Sequence, residues 1–155
     1  MDGMPIELYF AVLACVARAD GRVTQEERHV IRSAAQAAGL TGDVLARLER
    51  LLDMATPFSS EDVLAEIAPG MTAATLAEAI RDAYVLAAAD QEIAPAEVAV
   101  IDRLFALVGI AEHRRPALHE WARRAAEHHL DGLALLSEAL PKTNHESARE
   151  DVHSR

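Results

Sequence analysis

Four carboxylates stand out by type and spacing. Asp20 and Glu27 bracket the stretch Asp20-Gly21-Arg22-Val23-Thr24-Gln25-Glu26-Glu27, and seventy residues later Asp90 and Glu97 bracket Asp90-Gln91-Glu92-Ile93-Ala94-Pro95-Ala96-Glu97. The first stretch reproduces the second half of an EF-hand loop, where a carboxylate, a sharp-turn glycine, a packing apolar residue and a closing Glu follow in order. The loop's first and third ligand positions would fall on Val16 and Arg18, and in the later stretch on Leu86 and Ala88. Neither turn alone can therefore supply the roughly six to eight oxygens that calcium takes. Two such turns meeting in space would pool Asp20, Glu27, Asp90 and Glu97, a set suited to a hard cation such as Ca²⁺, Mg²⁺ or Mn²⁺ with carbonyls and waters completing the shell. A structural reading competes. Glu27 and Glu97 stand where a third-position helical Glu folds back on the N-cap or faces the positive end of the helix dipole. An Asp before a helix can likewise accept from backbone N–H groups of its own turn. Gln91 in place of Gly21 removes easy access to positive φ and makes the two turns unequal.

Other candidate chemistry falls away on spacing. Glu26-x-x-His29 has the i, i+3 step of di-iron bundles but no second copy, and it lies on the polar side of its helix. His119-Glu120-Trp121-Ala122-Arg123 begins like a zinc-protease helix and lacks the second His. Cys15, the single cysteine, sits between apolar residues, where burial raises rather than lowers a thiol pKa. No catalytic constellation is left, and a non-enzymatic chain is expected.

The elements that must position the acidic turns are helices. Ile6 to Ala19 is apolar on nearly all sides, the mark of a helix buried around its circumference. Thr24 to Glu27 has capping-box spacing ahead of Val30, Ile31, Ala34, Ala35 and Ala38, and Gly39 stops that helix. Asp43 to Ala55 is amphipathic and ends before Pro57, and Ser59 or Ser60 starts a short helix through Ile67. Thr72 to Ala89 is a second long helix, whose C-terminal half from Ala83 to Ala89 has no polar face. Pro95 then opens one carrying Val98, Ile101, Leu104, Phe105 and Val108, stopped by Gly109. Arg115-Pro116 begins a helix through His129, and Asp131-Gly132 begins a short one ending before Pro141.

Shifted by seventy, Ala17 to Leu40 overlies Ala87 to Ile110 without a gap, with Ala19/Ala89, Asp20/Asp90, Glu27/Glu97, Ile31/Ile101 and Gly39/Gly109 identical. The pattern predicts an all-α fold of seven to eight helices, with repeat units around residues 6–55 and 72–130 packed as one bundle about a pseudo-twofold axis. The domain is expected over residues 5–140. Residues 141–155 have no periodicity and read as a polar, disordered tail.

Composition narrows the partners. The 155 residues are 51% hydrophobic but only 4% aromatic, with about a fifth Ala, a balance that favours close-packed helices over sheets. Net charge is −10, from 15 Lys+Arg against 25 Asp+Glu, which repels nucleic acid and anionic lipid alike. Residues 1–102 hold 7 basic and 17 acidic side chains, whereas residues 103–130 hold 5 basic, 3 acidic and four His. The basic side chains Arg114, Arg115, Arg123 and Arg124 are expected to pair with Glu120 and Glu127 on an exposed helix face, or else to dock an acidic partner or a second copy of the domain. Trp121 would anchor such a contact or, at helical spacing with Leu118 and Ala125, join the core. The uncharged run Leu8 to Ala17 is about half the length of a membrane span, and no basic segment precedes it. The cytoplasm is the expected compartment, with protein partners, self-association among them, and no membrane insertion.

The doubled motif Ala19-Asp20-Gly21-x-Val23-x-x-x-Glu27 and Ala89-Asp90-x-x-Ile93-x-x-x-Glu97, each after an apolar helix, resembles the TerB-like domain of tellurite-resistance TerB proteins and of the N-terminal cytoplasmic region of DjlA co-chaperones. The resemblance covers roughly Pro5 to Leu140. It implies a bacterial all-helical domain of about seven helices with pseudo-twofold symmetry, without established enzymatic activity, linked to tellurite and stress responses and to binding divalent metal or protein partners through Asp20, Glu27, Asp90 and Glu97. The chain lacks the J-domain His-Pro-Asp triplet, so a co-chaperone role does not carry over. The expected function is thus a binding or adaptor module. A metal-dependent enzyme using the same carboxylates and a purely structural oligomerisation domain are the alternatives.

Overall fold

The apolar run that opens the chain becomes the centre of the molecule. In a computed structural model, which describes residues 6–88 and 93–142, helix α1 (Ile6–Ala17) has every residue from Phe10 to Ala17 buried. Around it stand α2 (Gln25–Ala37), α3 (Gly42–Leu52), α4 (Ser60–Ile67), α5 (Ala73–Ala88) and α6 (Pro95–Leu107), all of which touch it, while α7 (Arg115–Ala139) packs on α5. Two single 3₁₀ turns, Ala68–Gly70 and Glu112–Arg114, complete an all-helical architecture among the described residues.

Small side chains let the central pair come together. Ala11 and Ala14 of α1 and Ala79 and Ala83 of α5 are buried in the core, and the Tyr9 hydroxyl donates to Asp82 Oδ2 at 2.6 Å to tie the two helices polarly. The close approach extends to Gly70, where an added Cβ would lie 2.7 Å from Leu8 Cδ1.

The helix ends equated by the seventy-residue shift are built alike. Gly39 and Gly109 take φ of 91° and 89°, a left-handed conformation that glycine adopts without steric cost. Past them Leu40 N–H donates to Ala35 O and Ile110 N–H to Phe105 O, each at 2.9 Å. Leu40 is thereby turned into the core.

Helix limits and one exposure differ from those read in the sequence. Helix α3 ends at Leu52 rather than Ala55, because Asp53 folds back to accept from Ala55 N–H at 3.0 Å and from the Thr56 hydroxyl at 3.2 Å. Those two donors hold the Asp53 carboxyl below its usual range. The helix expected to end at His129 and the short one expected from Asp131 are one continuous α7. A lone glycine weakens a helix by about 1 kcal/mol and does not by itself break it. Val30, placed in the sequence at helical period with Ile31, Ala34, Ala35 and Ala38, is 55% exposed, and α2 buries only Ile31 and Ala35. The tail expected to be disordered lies, from residue 143 onward, outside the described residues.

Candidate functional site

The first acidic turn is held by its own backbone. Gly21 sits at φ 81°, and Asp20 Oδ1 accepts from Arg22 N–H at 2.9 Å. Thr24 then caps α2, its hydroxyl accepting from Glu27 N–H at 3.1 Å. The second turn enters α6 differently. Ala94 offers no side-chain acceptor, so the cap is half a box: Glu97 Oε1 accepts from Ala94 N–H at 3.0 Å, and Pro95 occupies the first turn without needing a partner for a backbone N–H.

These two helix starts face one another. Asp20 and Glu27 from the first turn and Glu97 from the second border a single small cavity of about 20 Å³, closed by Ala17 at the end of α1 and by Leu86 and Ala87 near the end of α5. That volume is of the order one water or a bare cation occupies. Asp90 lies outside the described residues. The structure thus brings Asp20, Glu27 and Glu97 to one place, while engaging Asp20 and Glu97 in local capping bonds. Among the described residues, no group of three or more His, Cys, Asp or Glu side chains is arranged to hold a metal ion.

Arg18, at the third position of the would-be loop, is turned elsewhere. Its guanidinium donates to the carbonyls of Leu51 and Asp53 at 3.0 Å and of Thr56 at 3.2 Å, and lies 4.3 Å above the Phe58 ring. It closes the α3–α4 connection. The Cys15 thiol is pushed up to about 12 by burial, with only Arg18 opposing, as its apolar neighbours imply. Glu26 and His29 are both exposed.

On α7 the arginines pair as expected: Arg123 with Glu120 and Glu127, and Arg124 with Glu120. Arg115 reaches instead to Asp102 at 3.2 Å and to Ile110 O at 3.1 Å. The core reading of Trp121 does not hold, since it is 46% exposed, on the rim of an apolar groove between α5, α6 and α7. A polar relay joins those helices beside it. Tyr84 Oη lies 2.7 Å from His119 Nδ1, and His119 Nε2 lies 3.2 Å from Asp102 Oδ1. An ionised Asp102 can only accept, which assigns the imidazole proton to Nε2 and makes the tyrosine the donor to Nδ1. The relay is not readable in the sequence, because its members are separated by 35 and 17 residues.

The family of tellurite resistance protein TerB matches residues 7–120 of the chain. The chain belongs to the TerB family. The matched span runs from the start of α1 into α7 and contains both acidic turns, which accords with the resemblance carried by the doubled Asp and Glu motif. It stops short of Trp121 and of the rest of α7. Neither the curated proteins nor the solved structures yield a match. No helix of this TerB-family chain is, among the described residues, long and apolar enough to cross a membrane.

Proposed function

We propose that this TerB-family domain is a non-enzymatic binding module that takes a hard divalent cation between its two acidic turns and acts through protein partners. The observation that carries the reading is the convergence of Asp20, Glu27 and Glu97 on one ion-sized cavity, although Glu97 is seventy residues from Glu27 in the chain. Oxygen-only donors suit Ca²⁺, Mg²⁺ or Mn²⁺ better than softer metals. Asp90, the equivalent of Asp20 under the seventy-residue shift, would add a fourth carboxylate. Such a cation would relieve the repulsion between carboxylates from the two halves and lock the start of α6 to that of α2. The family description links the domain to tellurite, but a chain of net charge −10 is a poor receptor for an oxyanion. The domain therefore serves that response as a partner-binding element rather than by holding tellurite.

Calorimetric titration of the chelator-treated protein with each cation tests this directly. One cation per chain is expected, with a raised unfolding temperature, and at least a tenfold weaker association in an Asp20→Ala/Asp90→Ala variant. Absence of heat and of any thermal shift in the unaltered protein, for all three cations, would overturn the reading.

A further inference from the structure

Between α5, α6 and α7 lies an open groove of about 410 Å³, lined by apolar and aromatic side chains alone. Ala73, Leu76, Ala77 and Ile80 of α5 form one wall and Leu118 and Trp121 of α7 the other. The buried Phe105 of α6 closes the bottom. The α5 wall recurs at helical steps from Ala73 to Ile80 and so extends over two turns, about 10 Å. That is the length over which a docked helix presents anchors at i, i+3 or i+4, and i+7.

We propose that this groove receives one amphipathic helix of a partner protein, its apolar side chains inward and acidic side chains along its edges. The proposal supplies a surface for the partner contact in the reading above and does not involve the cation. Shape selects a helix. The walls are themselves helices, and a third helix packs into the channel between two others through its side-chain ridges. An extended segment would instead turn backbone N–H and C=O groups toward apolar walls that offer them no partner. Trp121 supplies the anchor. It is the single Trp of the chain, half-exposed at the edge of the groove, and a Trp that becomes covered is among the residues that dominate binding energy in protein contacts.

Charge selects an acidic partner. The segments that border the groove, residues 72–81 and 100–125, hold six basic and four acidic side chains in a chain whose net charge is −10. Arg114 precedes Leu118 by four residues and Arg124 follows Trp121 by three, which puts each about one turn beyond an end of the α7 wall. Arg114 is exposed and in no ion pair among the described residues. Arg124 is 73% exposed and shares Glu120 with Arg123, so one carboxylate serves two guanidinium groups. Both arginines are therefore placed to meet carboxylates of an incoming helix. Salt screens exposed charges beyond about 8 Å, so the local sign at the groove decides at contact, not the net charge of the chain.

Emission from the single Trp reports on the groove in the full chain. The free protein is expected to show the emission and acrylamide quenching of a half-exposed indole at every protein concentration. Two synthetic helical peptides, matched in a face of Leu and differing in a polar face of Glu or of Lys, are then titrated. The Glu peptide is expected to move the emission to shorter wavelength, the Lys peptide to bind at least tenfold more weakly, and the difference to shrink as salt rises. Ala73→Glu and Ala77→Glu each set a carboxylate in the wall and are expected to weaken the Glu peptide at least tenfold with helical circular dichroism unchanged. Arg114→Glu/Arg124→Glu is expected to abolish the preference for Glu over Lys, and Val30→Glu, on the exposed side of α2, to alter neither titration. Binding of neither peptide, equal binding of both, or undiminished binding in the two wall variants would overturn the proposal. An indole already shielded in the free chain would assign the groove to a segment of the chain itself, and shielding that grows with protein concentration to a second copy; either result also overturns it. The cation titration is a separate measurement, so the loss of one reading leaves the other standing.

Discussion

At the scale of single residues, Arg18 shows how a would-be ligand position is put to structural use. Its guanidinium satisfies three carbonyls at and beyond the end of α3 and stacks on Phe58, which places a positive charge at the negative end of a helix dipole. Hydrogen bonds to a charged group contribute about 1.5–3 kcal/mol, so Arg18→Ala is expected to lower unfolding free energy by about 2–3 kcal/mol in a denaturant titration. Arg18→Lys should recover only part, since an ammonium cannot reproduce the planar fork. Cys15 carries a second expectation at this scale. With its pKa pushed up to about 12 by burial, the thiolate is scarce at pH 8, and a thiol reagent should label it only after denaturant is added; native-state labelling at the free-thiol rate would refute its inertness. The sequence did disclose the acidic residues and the inert thiol, because neighbours in the chain determine both. It did not disclose Arg18's partners, which are 33 to 38 residues away.

At the scale of elements, helix positions were legible wherever a local signal was strong: Thr24, Ser59, Pro95, Gly39 and Gly109 all mark the ends that the structure displays. The early end of α3 was not, because the amphipathic period runs past Asp53 and the competing side-chain bond to Ala55 N–H decides. The continuity of α7 was also hidden, since Asp131-Gly132 imitates a fresh helix start. The solvent side of α7 carries a ladder of Glu120, Arg123, Arg124 and Glu127. Bonds from Arg123 and then Arg124 hold Glu120 at about 2, below its ordinary 4.5. The sign follows from linkage: a depressed carboxyl pKa contributes stability that is complete above the unfolded value and lost as pH falls through the folded one. The unfolding midpoint is therefore expected to decline between about pH 4.5 and pH 2 by a component that Glu120→Gln removes. Screening by salt should shrink the same component, because these side chains are exposed.

At the scale of the whole molecule, two different kinds of contact hold the bundle together. Helix α1 is joined to its neighbours by a continuous apolar core. Helix α7 adds Ala122 and Ala126 to that core, with the relay from Tyr84 through His119 to Asp102 beside them. Burial, reinforced by Asp102 and Glu120, pushes the Tyr84 phenol up to about 12, so it keeps its proton at physiological pH. Removing the imidazole leaves a part-buried hydroxyl without its acceptor and opens a gap against Phe105, whose ring centroid is 5.1 Å from that of His119. His119→Ala is accordingly expected to cost about 2–4 kcal/mol, and the loss should not be uniform. Segments with fewer buried contacts open at lower free energy than the core. Native-state hydrogen exchange should show α7 amides losing protection in His119→Ala while α1 amides still exchange only by global unfolding. Equal loss of protection in α1 and α7 would instead mean that the bundle opens as one unit, with the relay contributing to every helix alike.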